Sequence, residues 1–374
     1  MPKAVVLGAG MVGSVIAADL AGDGEFTVTI ADVSEDALSA AAARSEGRIA
    51  TVHADLSLPA VIRRTVADAD IVLGALPSPL GLRALQAVIE AGRHYCDISF
   101  MPEDPAELNG LAETRGVTAV VDCGVAPGLT NMLAGYAVAQ LEGCRRLDIY
   151  VGGIPRRPRP PFYYKAAFSP ADVIEEYTRP SRLVENGRIV VREALSEVEP
   201  ISFEGVGVLE AFNTDGLRSL IRTLDVPFMK EKTVRWPGHA DIMRVFRETG
   251  LFSREPIIVH TVAVTPLEIT SALLFPKWTY EPGEEDLTVL RVTAEAADRT
   301  LAWEMIDQYD AASGTSSMSR TTALPCAITA RLIATGRFAR RGVITPEQIG
   351  REPGLLEHVL GELAARGVQV RTVP

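Results

Sequence analysis

Over roughly the first 125 residues, short apolar runs alternate with stretches of helical period, the pattern of βαβ units joined into a parallel sheet. The apolar runs predict strands at 4–7, 27–31, 49–53, 71–74, 94–97 and 118–121, with helices between them at 12–21, 35–44, 58–67, 80–91 and 105–114. Such a series makes one doubly wound α/β sheet. After Asp122-Cys123-Gly124-Val125-Ala126-Pro127-Gly128 the pattern changes, and a helix over 131–140 leads to a strand over 147–151. Ser169-Pro170-Ala171-Asp172 combines a capping side chain, Pro at the first helical position and an acid, so a helix starts there. The runs 257–264, 287–295 and 301–308 are long and rich in β-branched residues, which predicts a mainly antiparallel sheet. From Thr322 the chain is helical again, and 355–366 carries apolar residues at amphipathic spacing.

The first turn carries the chemistry. Gly8-Ala9-Gly10-Met11-Val12-Gly13 fits GxGxxG between an apolar strand and a helix. Its first glycine permits the tight turn, the second lets backbone approach a pyrophosphate, and the third allows close helix packing. The phosphates then meet free N–H groups at a helix N-terminus. Asp32 follows at the end of the next strand, placed to accept from ribose hydroxyls, and no basic residue lies nearby to receive a 2′-phosphate. The expected fold is thus a Rossmann dinucleotide-binding domain holding NAD. Candidate cofactor contacts are Gly8, Gly10, Met11, Val12, Gly13 and Asp32, with Asp55, Ala75, Leu76, Pro77, Ser78, Asp97 and Val125 at other strand ends. At most of these later positions ordinary turn chemistry competes with cofactor contact.

Composition narrows the partners. The 374 residues carry a net charge of −11, which argues against a nucleic-acid partner. Arg156, Arg157 and Arg159 form a basic cluster, but the prolines around them predict a stiff loop instead of a polyanion site. No apolar run is long enough for a membrane span, and the N-terminus lacks a secretory leader, so the expected compartment is cytoplasmic. Cys96, Cys123, Cys144 and Cys326 are scattered singly, which predicts reduced thiols and no metal site.

Together with the fingerprint, the 122–128 turn and Tyr150-Val151-Gly152-Gly153-Ile154-Pro155 resemble the saccharopine dehydrogenase-like family, and within it the lysine 6-dehydrogenases. Similar stretches are Leu195-Ser196-Glu197-Val198-Glu199-Pro200-Ile201, Leu209-Glu210-Ala211-Phe212, Gly238-His239-Ala240 and Arg320-Thr321-Thr322-Ala323. Asn213-Thr214-Asp215-Gly216-Leu217 departs from the lysine 6-dehydrogenase pattern. The resemblance implies a Rossmann domain (1–126), an inserted α+β substrate and dimerisation domain (127–335), and a C-terminal return to the first domain (336–374). It implies oxidation of a C–N bond of a small amino-acid substrate by a homodimer. A saccharopine or carboxyspermidine-type dehydrogenase is the alternative activity. A silent NAD-binding regulator on the same fold is the reading from another class.

Such chemistry needs a base for the substrate ammonium. His239 is the first candidate because its ordinary pKa lies near neutrality; a satisfied core histidine is the competing reading. Asp97 and Asp122 at strand ends are placed to hold an ammonium or orient a base, or to cap the next turn. Lys165 is a candidate proton carrier or anion ligand, with a solvated lysine as the competing reading. Arg320 is the candidate partner of the substrate carboxylate, with a surface role as the other reading; Thr321, Thr214 and Asp215 are further substrate contacts.

Overall fold

The computed structural model describes residues 1–281 and 283–374 and divides them into two compact units. The first comprises Met1–Tyr136 and Ser319–Val368; the second comprises Ala137–Met318 and Gln369–Pro374. Among the described residues no helix is long and apolar enough to cross a membrane.

In the first unit, β1 (Lys3–Leu7), β2 (Thr27–Asp32), β3 (Ala50–His53), β4 (Ile71–Gly74), β5 (His94–Asp97) and β6 (Thr118–Val120) pair in parallel. The sheet runs β6-β5-β4-β1-β2-β3, and a seventh strand, Gly342–Ile344, adds in parallel beside β6. β1 and β4 are fully or almost fully buried apart from Lys3, as expected of a parallel sheet covered on both faces. The strand order reverses between β1 and β4, so the crevice for a ligand opens at their carboxyl ends.

The return from the C-terminus begins earlier than the sequence boundary at 336. Helix Ser317–Ala334 lies in the first unit from Ser319 onward, and its Arg331 pairs with Asp19 and Asp23, each at 2.6 Å, on helix α1 (Met11–Gly22) and its cap. The tail also ends elsewhere than expected. Strand Val370–Val373 leaves the first unit and pairs antiparallel with Thr300–Gln308 of the second.

The second unit is built on a nine-stranded sheet. Strand Arg146–Pro155 lies between Asp286–Glu295, its antiparallel neighbour, and Phe228–Arg235, which runs parallel to it. Every other pair in this sheet is antiparallel. The run 257–264 is not a strand of this sheet; it folds into a separate hairpin of Ile257–Val259 and Val262–Val264. His260, with φ of 57°, turns the chain between them. Ser169 caps helix Pro170–Thr178 by accepting from the Asp172 amide.

Within the first unit, the part of helix Leu129–Gln140 up to Tyr136 meets helix Pro346–Gly350 backbone to backbone. A Cβ on Gly135 would lie 2.1 Å from the Glu347 carbonyl oxygen, and one on Gly350 2.0 Å from that of Met132. Gly135→Ala is expected to destabilise the protein by about 1–3 kcal/mol and lower the melting temperature by a few degrees. A melting curve identical to the wild type would contradict this packing.

Candidate functional site

The dinucleotide site grows from two missing Cβ atoms. Gly8 has φ of +101°, and a Cβ there would fall 2.4 Å from the Ala75 carbonyl oxygen, so the end of β1 presses on the turn after β4. A Cβ on Gly13 would lie 2.0 Å from the Gly8 carbonyl oxygen, which is how closely α1 seats on the turn. Gly10 differs: a Cβ there would meet no protein atom within 4 Å. It is also the N-cap of α1 and has no side-chain cap, so the first amides of the helix face open space. That combination fits a pyrophosphate resting on backbone.

Asp32 is tied to this loop. One carboxylate oxygen accepts from the Ala9 amide at 2.6 Å and the other from the Ser34 amide at 2.8 Å. Each oxygen keeps a lone pair for a ribose hydroxyl. The chain continues Val33-Ser34-Glu35-Asp36 with no cation. Asp55 at the end of β3 holds its own turn through the Ser57 amide and hydroxyl, which keep its carboxyl below the usual range. After β4 the Ala75 amide donates to the Leu7 carbonyl, and the Leu76 carbonyl accepts from the Ser99 hydroxyl. Leu76 and Ser78 are buried, as is Val125 in the turn after β6.

Asp97 ends β5 and is fully buried. Burial pushes its carboxyl up to about 7, helped by the charge of Asp122 and opposed by the amide and hydroxyl of Ser99. Gly74 makes room for it, since a Cβ there would lie 2.0 Å from the Tyr95 hydroxyl and 2.3 Å from the Asp97 carboxyl. Asp122, also buried, holds a left-handed backbone with φ of 53°. Beneath these carboxylates Cys96 and Cys326 lie with sulfurs 3.4 Å apart, and Cys123 donates to the Thr329 hydroxyl. All four cysteines are free thiols.

In the second unit the structure corrects the first-choice base. His239 is completely buried, with Nδ1 2.8 Å from the Phe162 carbonyl and Nε2 2.8 Å from the Tyr177 hydroxyl. A carbonyl only accepts, so Nδ1 carries the proton and Nε2 accepts from Tyr177. Burial, then the charge of Arg235, lowers its pKa to about 3. His239 is a core histidine, the competing reading. Lys165 is likewise engaged, donating to the Glu284 carboxylate at 2.5 Å and to the Thr279 carbonyl at 2.9 Å.

Thr214 and Asp215 enter a buried polar network of their own unit. The Thr214 hydroxyl donates to Glu231 at 2.6 Å, and Asp215 takes a bidentate pair from Arg182 at 2.8 Å per bond. Glu231 also accepts from the Gly216 amide, and burial pushes its carboxyl up to about 8. Arg320 and Thr321, by contrast, belong to the first unit, so the four expected substrate contacts are divided between units.

The residue the sequence analysis missed is Arg235. It is 2% exposed, pairs with Glu176 at 2.8 Å, and lies 4.7 Å over the Tyr164 ring. Its signal was present: an arginine in the apolar run Thr233-Val234-Arg235-Trp236 needs buried partners.

Asp97 makes stability depend on pH with a definite sign. In the unfolded chain it ionises near 4, whereas the folded protein keeps its proton up to about 7, so stability falls as pH rises between those values. Asp97→Asn removes this contribution, on the order of 4 kcal/mol. Urea denaturation at several pH values is expected to give the variant a shallower fall between pH 4 and 7; an unchanged fall would show that Asp97 titrates normally.

Comparison with known proteins agrees with this architecture. Residues 4–120 match the model of the saccharopine dehydrogenase NADP binding domain, and residues 124–368 that of the saccharopine dehydrogenase C-terminal domain. The chain is 22% identical to the NADP+, L-glutamate-forming saccharopine dehydrogenase of Schizosaccharomyces pombe, over 99% of this chain and 98% of that one. It is 22% identical to the carboxyaminopropylagmatine dehydrogenase of Synechocystis, over 97% and 96%. The apo saccharopine dehydrogenase (L-Glu forming) structure from Saccharomyces cerevisiae superposes with a TM-score of 0.81 over 100% of both chains at 17% identity, which shows the shared fold. With both of its domain models matched in order along the chain, this protein belongs to the saccharopine dehydrogenase family.

Proposed function

We propose that this protein is an NAD-linked dehydrogenase that oxidises an amine-bearing carbon of an amino acid, with the terminal amine of L-lysine as first substrate. The observation that carries the cofactor reading is Asp32, fixed by the Ala9 and Ser34 amides and followed by Glu35 and Asp36. Its charge repels a 2′-phosphate where a cation would attract one. The family model is named for NADP, so this chain's acidic loop marks a departure from that label. The lysine reading rests on the sequence stretches that resemble lysine 6-dehydrogenases.

When bound, a nicotinamide would supply the acceptor for a hydride leaving the amine-bearing carbon. The ammonium first loses a proton, because only the neutral amine lone pair can drive hydride departure. Asp97, with its carboxyl near neutrality at a strand end, and Asp122 beside it are the proposed proton acceptor and ammonium partner. The resulting imine adds water and releases ammonia, and the aldehyde closes onto the α-amine with loss of water to give a piperideine carboxylate. The open backbone at Gly10 would hold the pyrophosphate, while Gly8 and Gly13 let the turn and the helix close around it. His239 serves as a positioning residue that fixes Tyr177 and the 162 carbonyl.

A second reading is favoured by the relatives' names, which include a saccharopine dehydrogenase and a carboxyaminopropylagmatine dehydrogenase. In that reading the substrate is a carboxylated secondary amine and no ammonia is released.

Purified protein with NAD and L-lysine is expected to form NADH and ammonia in equal amounts. Oxidation of saccharopine without ammonia would select the second reading. Calorimetric titration is expected to show tighter binding of NAD than NADP, and Asp32→Ala combined with Val33→Arg to narrow the gap; equal affinities in the wild type would refute the Asp32 argument.

A further inference from the structure

Helix Pro266–Trp278 is apolar on both of its faces. Thr270, Leu274 and Trp278 are buried, and the last two join the core that holds Ile174, Tyr177 and Met243. On the opposite side Ile269 and Leu273 are 50% and 63% exposed, and Ala272 and Pro276 are exposed with them. A helix that is apolar all round belongs between two packed surfaces, and the second unit supplies one of them.

The hairpin just before this helix repeats the pattern. Its strands Ile257–Val259 and Val262–Val264 pair only with each other, with Ile257 opposite Val264 and Val259 opposite Val262. Ile257, Val259 and Val262 therefore share one face and Ile258 lies on the other, yet all four are between 45% and 71% exposed. No Asp, Glu, Lys or Arg lies between Ile257 and Val264. A two-stranded hairpin is marginal in water by itself, and free apolar edges invite another chain. The Leu267 amide donates to the Ser253 carbonyl and the Thr270 hydroxyl to that of Leu251, so the hairpin springs from beside the first turns of the helix.

Size and charge choose the occupant. Hairpin and helix together leave roughly 600 Å² of apolar surface in water, the size at which an exposed patch marks a protein contact. Two copies packed on it would bury about 1,200 Å² between them, the lower end of stable interfaces. The chain as a whole carries a net charge of −11, which makes like copies repel. Around this patch the signs balance: Arg254 and Glu255 lead into the hairpin, and Glu268 and Lys277 lie on the flanks of the helix, all four exposed. A strongly basic or acidic partner finds no charge pattern to recognise here, whereas a second copy of this acidic chain finds a near-neutral approach. We propose that the hairpin and the outer face of helix Pro266–Trp278 pack against the same surface of a second copy of this chain, about a two-fold axis. The surface lies wholly within the second unit and stands apart from the activity proposed above.

Sedimentation equilibrium of the full chain is expected to show a dimer, and hydrogen exchange to show slow amides over residues 257–264. Leu273→Glu and, independently, Ile258→Lys each place a charge at an exposed position, so far-UV circular dichroism is expected to stay that of the wild type. The dissociation constant of either variant is expected to rise at least about a hundredfold. Hairpin amides then exchange faster. An equimolar mixture of Leu273→Glu and Leu273→Lys is expected to re-form dimers, because a two-fold interface brings the same patch of each copy together. A wild-type monomer would overturn the proposal, whether its hairpin amides are slow, which would put the cover within the chain, or fast, which would leave the patch to another partner. So would a dimer that withstands both Leu273→Glu and Ile258→Lys, or a Leu273 mixture that stays monomeric.

Discussion

The first turn of the chain closes only because Gly8 and Gly13 have no side chains. The two contacts they permit, with the Ala75 and Gly8 carbonyls, press β1, α1 and the turn after β4 together at the point where the strand order reverses. Everything assigned to the cofactor follows from this. The amides of α1 are uncapped and open, and Asp32 is pinned to the loop through Ala9. A larger residue at either glycine would move the strand end by more than the hydrogen bond to Asp32 tolerates.

The second unit depends on a different constraint, the burial of Arg235. A guanidinium taken out of water requires compensation, and Glu176 provides one carboxylate for it. The positive charge in turn helps keep His239 neutral, and the aromatic rings of Tyr164, Tyr177 and Trp278 pack around both. Here charge and packing act in the same cluster, which is why a residue expected to titrate does not.

Much of the first unit was legible in the sequence because its signals are local. A parallel strand buried on both faces is a short apolar run, and the glycine turn and Asp32 are set by spacing alone. The strand Gly342–Ile344 and the departure of Val370–Val373 to the other unit were not legible, since three- and four-residue strands are defined by their partners. The run 257–264 misled for a related reason: alternating apolar residues form a strand in any sheet, and here the turn at His260 splits them into a hairpin. His239 misled because a histidine's pKa is fixed by its surroundings, and the Phe162 carbonyl that sets its tautomer lies 77 residues away. Arg320 drew attention through its motif, while Arg235 sat unnoticed in an apolar run.

The central proposal is that this fold moves a hydride from an amine-bearing carbon to a nicotinamide held on the Gly8–Gly13 turn. Mass spectrometry of the dinucleotide after incubation with lysine deuterated at its terminal carbon tests it directly. The account predicts a reduced NAD heavier by one deuterium, formed in step with ammonia. Unlabelled reduced cofactor, or none from any amine-bearing amino acid, would contradict it.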